Sequence, residues 1–163
     1  MSGAVGSLLL VWSRIEQSLR DEIVPATNSN PRNLHGIGAV LTAWENQVKT
    51  TQPAASLGPC LAKALRAQLR EPIEIRNGIC HGLIGISAAY DENPATLRWS
   101  LNGDKHSITW DELQALLAWL SKVPRTISMI SDLPGIDDGR LGIDNLENRK
   151  WWLQEVGLEL PAH

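Results

Sequence analysis

The chain has few cysteines, and their spacing excludes two common kinds of small protein. It contains only Cys60 and Cys80 in 163 residues. They form no C-x-x-C pair and no cluster with histidine, so the sequence predicts neither a disulfide framework nor a zinc site. We interpret both as free, buried thiols of a protein in the reducing cytosol. No metal and no other cofactor is expected.

Long apolar runs and a strong charge of one sign are also missing. The apolar cluster at residues 8–11 follows no basic segment, precedes no cleavage-site pattern, and is interrupted by Arg14 and Glu16 too soon for a membrane span. The formal net charge is −3, so there is no global basic field, and any binding to nucleic acid would need a local basic patch. These features predict a cytoplasmic protein with no membrane association.

Phenylalanine is absent and tyrosine occurs once, whereas tryptophan occurs seven times. We interpret the tryptophans mainly as core residues, although Trp99, Trp110 and Trp119 are close enough in sequence to be considered for base stacking. The hydrophobic content of 43% in 163 residues is enough for one domain with a real core. We therefore predict a single domain over residues 1–163, with a C-terminal tail from about residue 134.

Apolar residues recur at three- and four-residue steps in the first third of the chain, which is typical of amphipathic helices. The segment "PATNSNPRN", residues 25–33, is rich in Pro, Asn and Ser and predicts the loop between two such helices, and a third helix is predicted from about Pro59. The predicted buried stripes are Leu8, Trp12, Ile15 and Leu19 in the first helix, and Leu34, Ile37, Leu41, Trp44 and Val48 in the second.

The second half of the chain combines further helices with one hairpin. Asn102-Gly103 between two partly alternating runs predicts a β-hairpin at about residues 96–108. Thr109 and Glu112 predict a capping box ahead of a long helix kinked near Pro124, and residues 144–156 predict a last short helix. The predicted fold class is therefore all-α, an antiparallel helical bundle with an inserted β-hairpin.

A helix is also predicted to begin near Pro72 and to run to about residue 90, with Ile75, Ile79, Gly82 and Ile86 on its buried face. Within it, "IRNGICHG", residues 75–82, brings an arginine, an asparagine and a histidine into an otherwise apolar stretch. On an ideal helical wheel Asn77 and His81 share a face, whereas Arg76 and His81 lie about 140° apart. Arg76 and His81 therefore flank a face of this helix.

Arg76, Asn77 and His81 resemble the motif of the HEPN domains, which is an arginine, a polar residue, three variable residues and a histidine within one helix of a small helical bundle. The order of predicted helices around the motif, roughly residues 4–131, is also similar to that family. The resemblance implies a metal-independent endoribonuclease, often a toxin or an antiviral defence effector. It also implies a homodimer in which both motifs face one cleft. Gly78 and Gly82 would allow the close backbone approach that such a dimer seam needs.

These residue types suit RNA cleavage. RNA carries its own nucleophile, the 2′-hydroxyl, so cleavage needs a group that takes its proton and a fixed cation that stabilises the charge developing on phosphorus. A histidine at position 81 suits the first role, and an arginine at position 76 suits the second. Asn77 would orient the substrate or the histidine. The expected products carry a 2′,3′-cyclic phosphate and a 5′-hydroxyl.

Three basic residues, Lys63, Arg66 and Arg70, fall within about 60° of each other on the wheel of the predicted third helix, which makes them candidates for RNA binding. They could equally form a solvated basic face. Likewise, Arg76 could pair with Glu16 or Glu74 while His81 is a hydrogen-bonded core histidine. The rival function is a non-catalytic HEPN-fold protein that binds a partner protein or a nucleotide. An RNA substrate, a second copy of the chain and an antitoxin or other regulatory protein are the predicted partners.

Overall fold

The computed structural model describes residues 2–23, 34–135 and 140–161, and the predicted loop at residues 25–33 lies outside them. The described residues are mostly helical, with one small antiparallel sheet. The elements in chain order are α1 (Ser2–Ile23), α2 (Ile37–Thr51), α3 (Gly58–Gln68), α4 (Arg70–Gly82), β1 (Leu83–Ser87), β2 (Thr96–Leu101), β3 (Asp104–Thr109), α5 (Trp110–Leu120), α6 (Val123–Ser131) and α7 (Leu146–Trp151), and a π-helical turn (Trp152–Val156) follows α7.

These elements divide into two compact units. Unit 1 consists of residues 1–12 and 69–121, and it contains α4, the sheet and α5. Unit 2 consists of residues 13–68 and 122–163, and it contains α2, α3, α6 and α7. That residues 1–163 form a single domain stays a prediction.

Most positions of the predicted helical stripes of the first third are confirmed as core. Leu8, Trp12, Ile15 and Leu19 of α1 are all buried, as are Leu41, Trp44 and Val48 of α2, whereas Ile37 is only partly buried. Leu34 lies outside α2, which begins at Ile37, and it is only partly buried. Near the C-terminus, Trp152 and Val156 are buried.

The predicted hairpin is present. β2 and β3 pair antiparallel, and Leu101 is opposite Asp104. Asn102 and Gly103 connect them, both with positive φ, as a type I′ turn requires. The predicted capping box is also present, because the Glu112 amide donates to the Thr109 hydroxyl while the Thr109 amide donates to the Glu112 carboxylate.

Two helix predictions differ from the structure. The helix predicted for residues 72–90 is wrong beyond Gly82, since residues 83–87 form β1, which pairs with β2 and makes a three-stranded sheet of order β1-β2-β3. The kinked helix around Pro124 is two helices, because α5 ends at Leu120 and α6 begins at Val123 with the proline in its first turn. At that position the missing amide of proline costs no helical hydrogen bond.

Candidate active site

The motif helix α4 packs one face on the sheet of unit 1. Its buried residues are Pro72, Gly78 and Ile79. A Cβ atom on Gly78 would overlap the indole of Trp99, and a Cβ atom on Gly82 would overlap the carbonyl oxygen of Ser100. Both glycines therefore permit the close approach of α4 to β2 of the same chain. This corrects the expectation that they make room for a dimer seam.

Arg76 lies beside the buried face of α4 and is half-buried. Its guanidinium donates a hydrogen bond of 2.9 Å from Nη1 to Oδ1 of Asn77. Asn77 thus holds the guanidinium, and no carboxylate of the described residues neutralises its charge. The two acids considered as partners pair elsewhere: Glu16 with Arg20 at 2.6 Å and Glu74 with Arg70 at 3.6 Å.

His81 follows Asn77 by one helical turn and is exposed to solvent. This overturns the alternative in which His81 is a hydrogen-bonded core histidine. The described residues therefore present a charged guanidinium, an amide and an accessible imidazole on one helix, without an acid of the same chain masking the guanidinium.

The predicted basic stripe does not lie on one helix. Lys63 and Arg66 belong to α3, which ends at Gln68, whereas Arg70 is the first residue of α4. Arg66 forms an ion pair, since its Nη1 atom lies 2.7 Å from Oε2 of Glu45. Arg70 is largely exposed, and its 3.6 Å ion pair with Glu74 contributes little to stability. Lys63 is exposed and remains a candidate contact for RNA.

Glu45, the partner of Arg66, is a carboxylate in the core of unit 2, with its side chain only 4% exposed. It also pairs with Lys49 at 2.6 Å. Burial raises its pKa, but the hydrogen bonds and charges of Arg66 and Lys49 outweigh that effect and leave the pKa below the ordinary value of 4.5. Arg66 thus stabilises the ionised form of Glu45, and its role as an RNA contact stays a prediction.

We expect Glu45→Gln to lower the free energy of unfolding near pH 7 by about 1–3 kcal/mol, the scale for charged hydrogen bonds to a buried group. Because the pKa of Glu45 is lowered in the folded state, its ionised form stabilises the protein above pH 4.5, and this contribution is lost as the pH falls through the folded-state pKa. The stability difference between wild type and variant should therefore shrink below pH 4.5 in urea unfolding. Glu147→Gln, at an exposed position of α7, is the matched control. A difference that is constant with pH would contradict this assignment.

Unit 1 also contains a cavity of about 450 Å³ that the sequence did not indicate. None of Arg76, Asn77 and His81 lines it. Its lining residues come from the first turns of α4, from β2 and β3, and from α5: Glu71, Pro72, Glu74, Ile75, Trp99, Leu101, His106, Ser107, Ile108, Glu112 and Leu116. One signal was available, because the Asn-Gly turn fixes a hairpin register that places Trp99 opposite His106.

The cysteines are free, as predicted, but both Cys60 and Cys80 are exposed rather than buried. Among the described residues, no group of three or more His, Cys, Asp or Glu side chains is placed to hold a metal ion. Within the same ranges, no helix is long and apolar enough to cross a membrane.

The chain was compared with models of protein families, with curated proteins and with solved structures, and none of the three comparisons gave a significant match. The assignment of a function therefore depends on the residues and geometry of α4 itself.

Proposed function

We propose that the protein is a metal-independent endoribonuclease of the HEPN type that cleaves single-stranded RNA in the cytoplasm, as a toxin or defence effector. The observation that carries the proposal is the state of the motif. Arg76 is oriented by Asn77 and is not neutralised by an acid among the described residues, and His81 is open to solvent. We also propose that the helices form the antiparallel bundle that the resemblance to the HEPN domains implies.

In this mechanism the 2′-oxygen attacks the adjacent phosphorus and the bond from phosphorus to the 5′-oxygen breaks, which leaves a 2′,3′-cyclic phosphate and a 5′-hydroxyl. His81 takes the proton of the 2′-hydroxyl or protonates the leaving 5′-oxygen. Arg76 presents a fixed cation to the phosphorane oxygens, whose charge increases in the transition state. Asn77 keeps the guanidinium in place through its 2.9 Å hydrogen bond, so Arg76 does not need to be ordered when substrate binds.

The test is cleavage of single-stranded RNA by purified protein in the presence of EDTA. Cleavage should persist, because the proposed groups need no metal ion. If chelation abolishes cleavage and added divalent metal restores it, the proposed mechanism is wrong. Binding of RNA without any cleavage would favour the non-catalytic rival.

We also propose that the active form is a two-fold homodimer, since Arg76 and His81 flank opposite sides of a helical face and a second copy can complete the site. The position of β1, which begins two residues after His81, supports a dimer seam beside this histidine. β1 is an edge strand, and its apolar side chains are exposed, with Ile84 58% accessible. An exposed apolar edge favours pairing with another strand, and an antiparallel pair of identical strands is compatible with two-fold symmetry.

We expect a dimer at micromolar concentration, with a total buried area above about 1,000 Å². Ile84→Lys should shift the equilibrium to monomer, because it places a charge in the seam. Leu146→Lys, at an exposed apolar position of α7, should leave the dimer intact. Analytical ultracentrifugation measures the oligomeric state of the wild type and of both variants. A wild-type monomer at micromolar concentration would rule out this dimer.

A further inference from the structure

The cavity of unit 1 has the size of a small-molecule site. Its volume of about 450 Å³ lies within the usual range for ligand pockets. It occurs beside the first turns of α4, whereas the glycines that bring this helix against β2 come later in the helix. The cavity and the HEPN-like motif thus use different residues of α4.

The sheet gives the cavity one largely apolar wall because of the strand register. Trp99 and Leu101 lie two residues apart on β2, and His106 and Ile108 do the same on β3, so their side chains share one face of the sheet. The rings of Trp99 and His106 stack with 5.7 Å between centroids and 14° between planes. Ile75 of α4 and Leu116 of α5 add further apolar surface.

The lining is rich in acidic side chains, and its one other titratable residue in the described part of the chain is His106. Three carboxylates, Glu71, Glu74 and Glu112, belong to the lining, to which the described residues contribute no lysine or arginine. Those residues also offer Glu71 no ion-pair or hydrogen-bond partner, and Glu74 has only its 3.6 Å pair with Arg70. Glu112 accepts two hydrogen bonds from Thr109 on the same oxygen, Oε2, and these bonds lower its pKa, so it stays ionised at neutral pH.

We propose that this cavity binds a small organic cation, an ammonium or guanidinium group carried on an apolar body. The carboxylates of α4 and α5 would receive the charged head, and the face formed by Trp99, Leu101 and Ile108 would cover the apolar body. The same carboxylates repel the phosphates of RNA, so this site is distinct from the proposed catalytic motif. The inference stands whether or not the protein cleaves RNA.

Three probes that share a phenylethyl body test whether the cavity prefers a cation: phenethylamine, 2-phenylethanol and 3-phenylpropionate. They carry a cationic, a neutral and an anionic group, respectively. Titration by calorimetry or by NMR near pH 7 should show that the amine binds at least ~10-fold more tightly than the alcohol and that the acid binds most weakly. The affinity for the amine should also fall as salt is added, because the carboxylates are near the surface.

Glu71→Gln combined with Glu74→Gln should weaken binding of the amine at least ~10-fold while the alcohol is little affected. Glu92→Gln combined with Asp104→Asn is the matched control, since it changes the net charge of the same unit equally at exposed positions outside the cavity. Equal affinity for amine and alcohol would overturn the proposal. So would unchanged binding in the Glu71 and Glu74 variant, or no binding of the amine up to about 10 mM.

Discussion

Arg76→Ala and His81→Ala should each reduce the rate of RNA cleavage by at least ~100-fold, the usual scale for losing a charge-stabilising or acid–base group. Arg76→Lys should restore only part of the rate, because lysine keeps the charge but loses the planar fork that contacts two phosphate oxygens. Asn77→Ala should have a smaller effect of about tenfold, since Asn77 positions the guanidinium and does not carry charge. Single-turnover cleavage of a labelled oligonucleotide measures all four variants.

Matched controls are available for both charged residues. Arg98 is exposed on β2, and His35 is exposed just before α2. Arg98→Ala and His35→Ala should cut at close to the wild-type rate. The role of the motif would be refuted if the controls lost as much activity as the motif variants, or if Arg76→Ala and His81→Ala cut as fast as wild type while remaining folded.

The second large effect that we expect is on the free energy of unfolding. Gly82→Ala should lower the free energy of unfolding by about 1–3 kcal/mol or more, because the new methyl group overlaps the backbone carbonyl of Ser100, which can move only with β2. Gly85→Ala, three residues later in β1, is the control, since a methyl group added there would meet no neighbouring atom within 4 Å. Urea unfolding compares the two, and equal stability of both variants would show that α4 and β2 are not in close contact at Gly82.

Much of the fold could be predicted because the deciding interactions are local. The Asn102-Gly103 turn needs only two residues that tolerate positive φ. The capping box of Thr109 and Glu112 closes within one helical turn. The buried stripe of α1 follows from helical periodicity alone, since all four predicted positions are buried.

β1 could not be predicted from local pattern. Ile75, Ile79, Gly82 and Ile86 keep a helical spacing across the true end of α4, so periodicity favours one continuous helix. The strand forms because residues 83–87 pair with β2, and Gly82 permits the close approach to Ser100 just before it. Most of these contacts join residues a dozen or more positions apart, and no local propensity encodes them.

The candidate site likewise combines features that the sequence predicts with features that only the structure shows. Arg76, Asn77 and His81 are contiguous enough to be recognised as a motif, and the structure adds the hydrogen bond that orients the guanidinium. The ion pair of Arg66 could not be predicted, because its partner Glu45 is on another helix, 21 residues earlier in the chain. The carboxylates around the cavity of unit 1 come from α4 and α5, so only the packing of these helices on the sheet brings them to one cavity.

The central claim is that this protein cleaves RNA through attack by the 2′-hydroxyl and without a metal ion. Cleavage of two oligonucleotides in EDTA tests it most directly: one carries a 2′-hydroxyl at the mapped cleavage position, and the other a 2′-O-methyl group at that position only. We expect the first to be cut, leaving a 2′,3′-cyclic phosphate, and the second to remain intact at that position. Cleavage of the methylated strand at the same position and rate would contradict the account, because the nucleophile would then have to be something other than the 2′-oxygen.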